Sequence, residues 1–148
     1  MSSQEQINRA VAELQLLERI AADYQTRILT VEQTIREHEN ALKLIEEIKK
    51  HGGDAPILIP IGAGSFVKAE LKKVETVHIN VGAGVIIEKT LEDSQQLLVK
   101  RNESLQKLHD TLTKKLDETI ARIQQLRQFV EAAVAQQQQQ QLRKSNEG

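Results

Sequence analysis

Two Gly-Ala-Gly units, Gly62-Ala63-Gly64 and Gly82-Ala83-Gly84, are the first place to look for chemistry in this chain. A phosphate loop needs a Gly-x-x-x-x-Gly-Lys run, so that successive backbone N–H groups cradle the phosphates and the lysine reaches them. Neither Gly62 nor Gly82 begins such a run, and neither unit has the third glycine of a dinucleotide fingerprint. The units read instead as tight hairpin turns, because glycine reaches positive φ without strain. His38-Glu39 invites a zinc helix, but Leu42 stands where the second histidine of an i, i+4 pair belongs. His38 and His109 fall on helical seams and read as polar layers that set register. His51 and His78 read as ordinary loop and strand surface. Asn102-Glu103-Ser104 matches a glycosylation acceptor, which has no meaning in a cytosolic chain. With no cysteine there is no disulfide framework and no thiolate metal site. No catalytic constellation, metal site or cofactor site emerges, and the chain is not read as an enzyme.

The elements that carry these residues are of two kinds. Residues 54–91 hold or border six of the seven glycines and both prolines, and they interrupt a chain that is otherwise helical in pattern. Within them Ile59-Pro60-Ile61-Gly62-Ala63-Gly64 is echoed twenty positions on by Ile79-Asn80-Val81-Gly82-Ala83-Gly84, an internal repeat of two hairpin units. Four short strands are expected from the alternation around Ile57–Ile61, Phe66–Leu71, Val77–Val81 and Val85–Glu88. Pro56 and Pro60 push the first toward a sheet edge.

On the N-terminal side, steps of three and four select Ile7, Ala10, Leu14, Leu17, Ala21, Tyr24, Ile28, Val31, Ile35, His38, Leu42 and Ile45. Only His38 breaks this coiled-coil seam of about six heptads. Ser2 or Ser3 is the expected N-cap, and Lys49, Lys50 and His51 complement the helix dipole before Gly52. The C-terminal seam runs Leu98, Asn102, Leu105, His109, Leu112, Leu116, Thr119, Ile123, Leu126, Val130 and Ala133, with Thr90 or Asp93 near its cap. Three polar members make it weaker and more register-specific. Helices of equal length, roughly 65 to 70 Å each at 1.5 Å per residue, imply a chain that goes out, turns and comes back. Antiparallel pairing then makes opposed residue numbers sum to about 140, with His38 facing Asn102.

The fold class expected is α+β: a long antiparallel two-helix coiled coil with two β-hairpins inserted between the helices. Its parts are a helix over 4–51, a double-hairpin hub over 54–90, a helix over 91–135 and a glutamine-rich tail over 136–148, frayed or disordered. Two hairpins alone are marginal in water, and several of these strands are apolar on both faces. Closure with other copies or relatives into a closed β structure would remove the exposed edges. Ile57, Ile59, Ile61, Phe66, Val67, Val77, Ile79, Val81, Val85 and Ile87 are therefore expected to form an oligomerisation hub. At the far ends of the helices, Ile7, Val11, Leu14, Phe129, Val130 and Val134 either widen the core near a fraying end or make an apolar tip suited to unfolded chains.

Composition bounds the rest. Aromatic residues make up 2% of the chain and net charge is −1, with no basic face, which argues against a compact core and against nucleic acid. No run approaches a membrane span, so a cytoplasmic protein is expected.

The flanking helices together with Ala55–Val67 and Val77–Val85 resemble the α class of prefoldin subunits, in its archaeal form. The doubled hairpin decides the class, since β-class subunits carry one. The resemblance implies a hexamer of two α and four β subunits on a double β-barrel platform. It implies tentacle tips that hold non-native client proteins without ATP and pass them to a group II chaperonin. The alternative is a structural coiled-coil scaffold gripping one folded partner.

Overall fold

The computed structural model describes residues 2–148. Helix α1 (Ser3–His51) is followed by strands β1 (Ala55–Gly62), β2 (Ser65–Leu71), β3 (Thr76–Gly82) and β4 (Val85–Thr90), and by helix α2 (Leu91–Asn146). By packing, the chain divides into a terminal unit, Met1–Val31 with Leu108–Gly148, and a hairpin unit, Glu32–Lys107.

Both helices start on side-chain caps. Ser2 Oγ accepts from the Glu5 N–H at 3.2 Å, while the Ser2 N–H donates to Glu5 Oε2 at 3.3 Å, a reciprocal capping box. Thr90 Oγ1 accepts from the Asp93 N–H at 3.1 Å. Helix α1 stops at Gly52, whose N–H donates to the Ile48 carbonyl and whose φ of 64° no β-carbon has to share. Helix α2 does not end at residue 135, where the tail over 136–148 was expected to begin. The helix runs on through the glutamines to Asn146, because glutamine is a good helix former and neither Gly nor Pro intervenes before Gly148.

Every seam position named from the sequence on both helices is buried or half-buried. In the terminal unit the helices are joined by Gln137–Gln4, Arg122–Glu13 and Arg127–Glu18 hydrogen bonds, and in the hairpin unit by Lys49–Gln95. All four lie within about a turn and a half of the register in which opposed numbers sum to about 140. The polar layer is solved locally. His38 Nδ1–H donates to the Thr34 carbonyl one turn back at 2.8 Å, while Asn102 Oδ1 is buried without a hydrogen-bond partner.

The four strands form two separate two-stranded antiparallel sheets, β1 with β2 and β3 with β4. Hairpin 1 pairs Ile57 with Ala69, Leu58 with Lys68, Ile59 with Val67 and Pro60 with Phe66. Hairpin 2 pairs Val77 with Lys89, His78 with Glu88, Ile79 with Ile87 and Asn80 with Ile86. Each carries a bulge just before its turn. In both turns φ is positive at the two central residues, 50° and 71° at Ala63 and Gly64, 50° and 75° at Ala83 and Gly84. That is what a type I′ turn requires. The glycines were foreseen in this role; the alanines, strained in the left-handed region, were not.

Candidate functional surfaces

No group of His, Asp and Glu that could hold a metal occurs among the described residues, and no helix there is long and apolar enough to cross a membrane. An open cavity of about 240 Å³ lies where the hairpin bases meet the helix ends, between Ile48, Ala55, Leu71, Val74 and Leu91. Its lining is mostly apolar, with lysine stems at the rim, and brings together no acid–base pair. The features that can bind something are exposed apolar side chains, which occur on both units.

In the hairpin unit the chain covers only the bases of the hairpins. Ile57, Val77 and Ile87 are half-buried and Ile79 is buried at 7% exposure. Beyond them Ile59, Phe66, Val67, Val81 and Val85 are exposed, and Ile61 reaches 64%. Two more exposed residues belong with these, Leu58 on hairpin 1 and Ile86 on hairpin 2. Their signal was the apolar residue on the second face of each strand.

The two hairpins differ in their second faces. On hairpin 1 that face carries Pro56, Leu58, Pro60 and Phe66, apolar except for Lys68 and Glu70. On hairpin 2 it carries Thr76, His78, Asn80, Glu88 and Thr90, polar except for Ile86, with Thr76 Oγ1 donating to Glu88 Oε1 at 2.7 Å. Hairpin 2 is also tied to α2, since Arg101 Nη2 donates to the Asn80 carbonyl at 3.1 Å. Asn80 Oδ1 in turn accepts from the Gly82 N–H at 2.9 Å and steadies the turn.

In the terminal unit the expected tip residues separate. Ile7 is buried, and Val11, Leu14 and Val130 are half-buried in or beside the seam. Phe129 and Val134 point to solvent, at 44% and 37% exposure. Helical spacing puts Val134, Gln138, Gln141 and Leu142 on one face, and Leu142 is 63% exposed. From residue 138 onward α2 is exposed all round, because Gln137 already lies opposite Gln4 at the start of α1. Leu142 had been passed over with the tail.

Residues 17–140 match the prefoldin subunit family. The chain is 32% identical over 138 residues to "Prefoldin subunit alpha" of Methanosarcina barkeri, covering 91% of this chain and 94% of that one. It is 28% identical over 133 residues to the same subunit of Methanococcoides burtonii, covering 90% and 94%. Among solved structures it is similar to a chain of the filamentous PFD from Methanocaldococcus jannaschii, with a TM-score of 0.61, 21% identity, and coverage of 80% of this chain and 96% of that one. Two long helices enclosing two antiparallel hairpins, matched over most of their length by these proteins, place the chain in the prefoldin family, in its alpha-subunit class.

Proposed function

We propose that this protein is an ATP-independent holdase subunit that works in the cytoplasm, in a hexamer with prefoldin β subunits. Its hairpins would close a β-barrel platform with theirs, and its far helix ends would hold non-native client proteins and deliver them to a group II chaperonin. The observation that carries the reading is the state of Phe129, Val134 and Leu142, large apolar side chains left in water on the surface of α2. Exposed apolar side chains spread around a helix suit weak contacts multiplied over several arms. The exposed apolar faces of hairpin 1 support the joining role, since an uncovered two-stranded sheet is marginal in water.

The test mixes the full chain with an archaeal β-class subunit and follows light scattering from a chemically unfolded protein without nucleotide. Suppression of aggregation is expected, weakened in a Phe129→Ser/Val134→Ser/Leu142→Ser variant whose complex has the same mass. No suppression at severalfold molar excess of the wild-type complex would refute the holdase reading. Binding restricted to one folded partner would favour the scaffold alternative.

A further inference from the structure

Two short basic runs that mean little in the sequence meet in the fold. Lys49, Lys50 and His51 close α1, where positive charge complements the helix end. Lys72 and Lys73 follow β2, a whole hairpin later. A β-carbon added to Gly53 would stand 4.0 Å from that of Lys73, so the chain leaving α1 passes beside the second run. Between the runs opens the cavity of about 240 Å³, whose lining takes Lys49, His51, Lys72 and Lys73 but no aspartate or glutamate. Glu47 and Glu75 pair with His51 and Lys73 at 3.6 and 3.7 Å from outside that lining. Lys49 donates to a neutral amide, that of Gln95, and Lys72 has no ionic partner among the described residues. The two helix ends at the cavity, the C-terminus of α1 and the N-terminus of α2, carry about half a charge each of opposite sign and offset one another. What remains is an apolar hole with two uncompensated cations at its mouth.

We propose that this cavity docks an acidic segment of a partner protein through one aromatic anchor. A cavity of about 150 Å³ holds a benzene ring, so this one has room for an indole. It is smaller than the roughly 300 to 1,000 Å³ that bury a drug-sized ligand, and it lies open to solvent, which suits one side chain of a larger partner. Aromatic anchors seated in such pockets are where the binding energy of an interface concentrates. Carboxylates flanking the anchor would meet Lys49 and Lys72, and basic segments would be turned away by the same charges. The cavity belongs to the hairpin unit, whereas Phe129, Val134 and Leu142 belong to the terminal unit, so the docking site stands apart from the holdase surface and does not depend on it.

The chain has no tryptophan, so the emission of a tryptophan in an added peptide reports that residue's own surroundings. The probe is a synthetic pentapeptide with one tryptophan between two pairs of aspartates. It is titrated with the complex of the full chain and an archaeal β-class subunit free of tryptophan, with the β subunit alone as the blank. A saturable blue shift is expected. Affinity should fall about fivefold in Lys49→Gln/Lys72→Gln, the loss of two exposed charge pairs. Val74→Phe, which fills the cavity, should abolish the shift, and Phe129→Ser/Val134→Ser/Leu142→Ser should leave it unchanged. No shift with the wild-type complex would overturn the proposal, and so would equal binding of the same peptide with lysines in place of the aspartates. Unchanged affinity in Lys49→Gln/Lys72→Gln would overturn it too, and that exposed pair decides the matter if Val74→Phe does not assemble. Loss of the shift in the triple serine variant would place binding on the terminal unit instead. Indole-3-propionate binding as tightly as the peptide would give the cavity to a small anion and overturn peptide docking.

Discussion

Arg122 on α2 clasps the Glu13 carboxylate of α1 with two donors, Nε 3.0 Å from one oxygen and Nη2 3.4 Å from the other. Arg127 makes a similar contact with Glu18 at 2.9 Å. In heptad terms the first pair lies on one flank of the seam and the second on the other, as antiparallel pairing demands. Reversing one charge, as in Arg122→Glu, should lower the urea midpoint, and adding Glu13→Arg should recover most of the loss. With both partners about half exposed, the coupling in a double-mutant cycle should be about 0.5 kcal/mol and shrink in high salt.

Ser94 has no exposed surface and its hydroxyl has no hydrogen-bond partner. Ser94→Ala should therefore stabilise the fold, by about 1 kcal/mol in urea denaturation. Asn102→Leu should stabilise it too, while allowing cross-links between the helices at shifted registers, because a polar residue at a seam position buys specificity.

Ala63 and Ala83 both sit at φ 50°, where an L side chain is strained by about 1 kcal/mol. Ala63→Asn creates the Asn-Gly pair that a type I′ turn favours, and should slow hydrogen exchange at Ile59 and Val67. Gly64→Ala should speed it. An added β-carbon there meets nothing within 4 Å, so the loss is conformational rather than a clash.

Arg101 holds hairpin 2 to α2 through a single bond to the Asn80 carbonyl. Arg101→Ala should cost up to about 1 kcal/mol locally. The measurement is faster exchange at Ile79 and Ile87, with helix content by circular dichroism unchanged.

The seams were legible because a helix that buries one stripe must place apolar residues at steps of three and four, and Ile7 through Ile45 do so with one exception. The hairpins were legible from the Gly-Ala-Gly repeat. Three features were not. The end of α2 was misplaced because six glutamines carry no stop signal. The tip residues were grouped as one surface, yet Ile7, on the seam by its spacing, is buried, while Phe129, off the seam, faces water. Ser94 gave no sign of burial, since a small polar residue near a helix start usually caps it.

The order of contacts along the paired helices also fixes how the protein must be made. Partners are separated by 46 residues at Lys49–Gln95, by 109 at Glu13–Arg122 and by 133 at Gln4–Gln137. Loop-closure entropy grows with that separation, so pairing is expected to close like a zipper from the hairpins toward the termini. Until α2 leaves the ribosome, the whole stripe from Ile7 to Ile45 has nothing to cover it. During its own synthesis this subunit presents the same kind of surface that its mature form is proposed to bind.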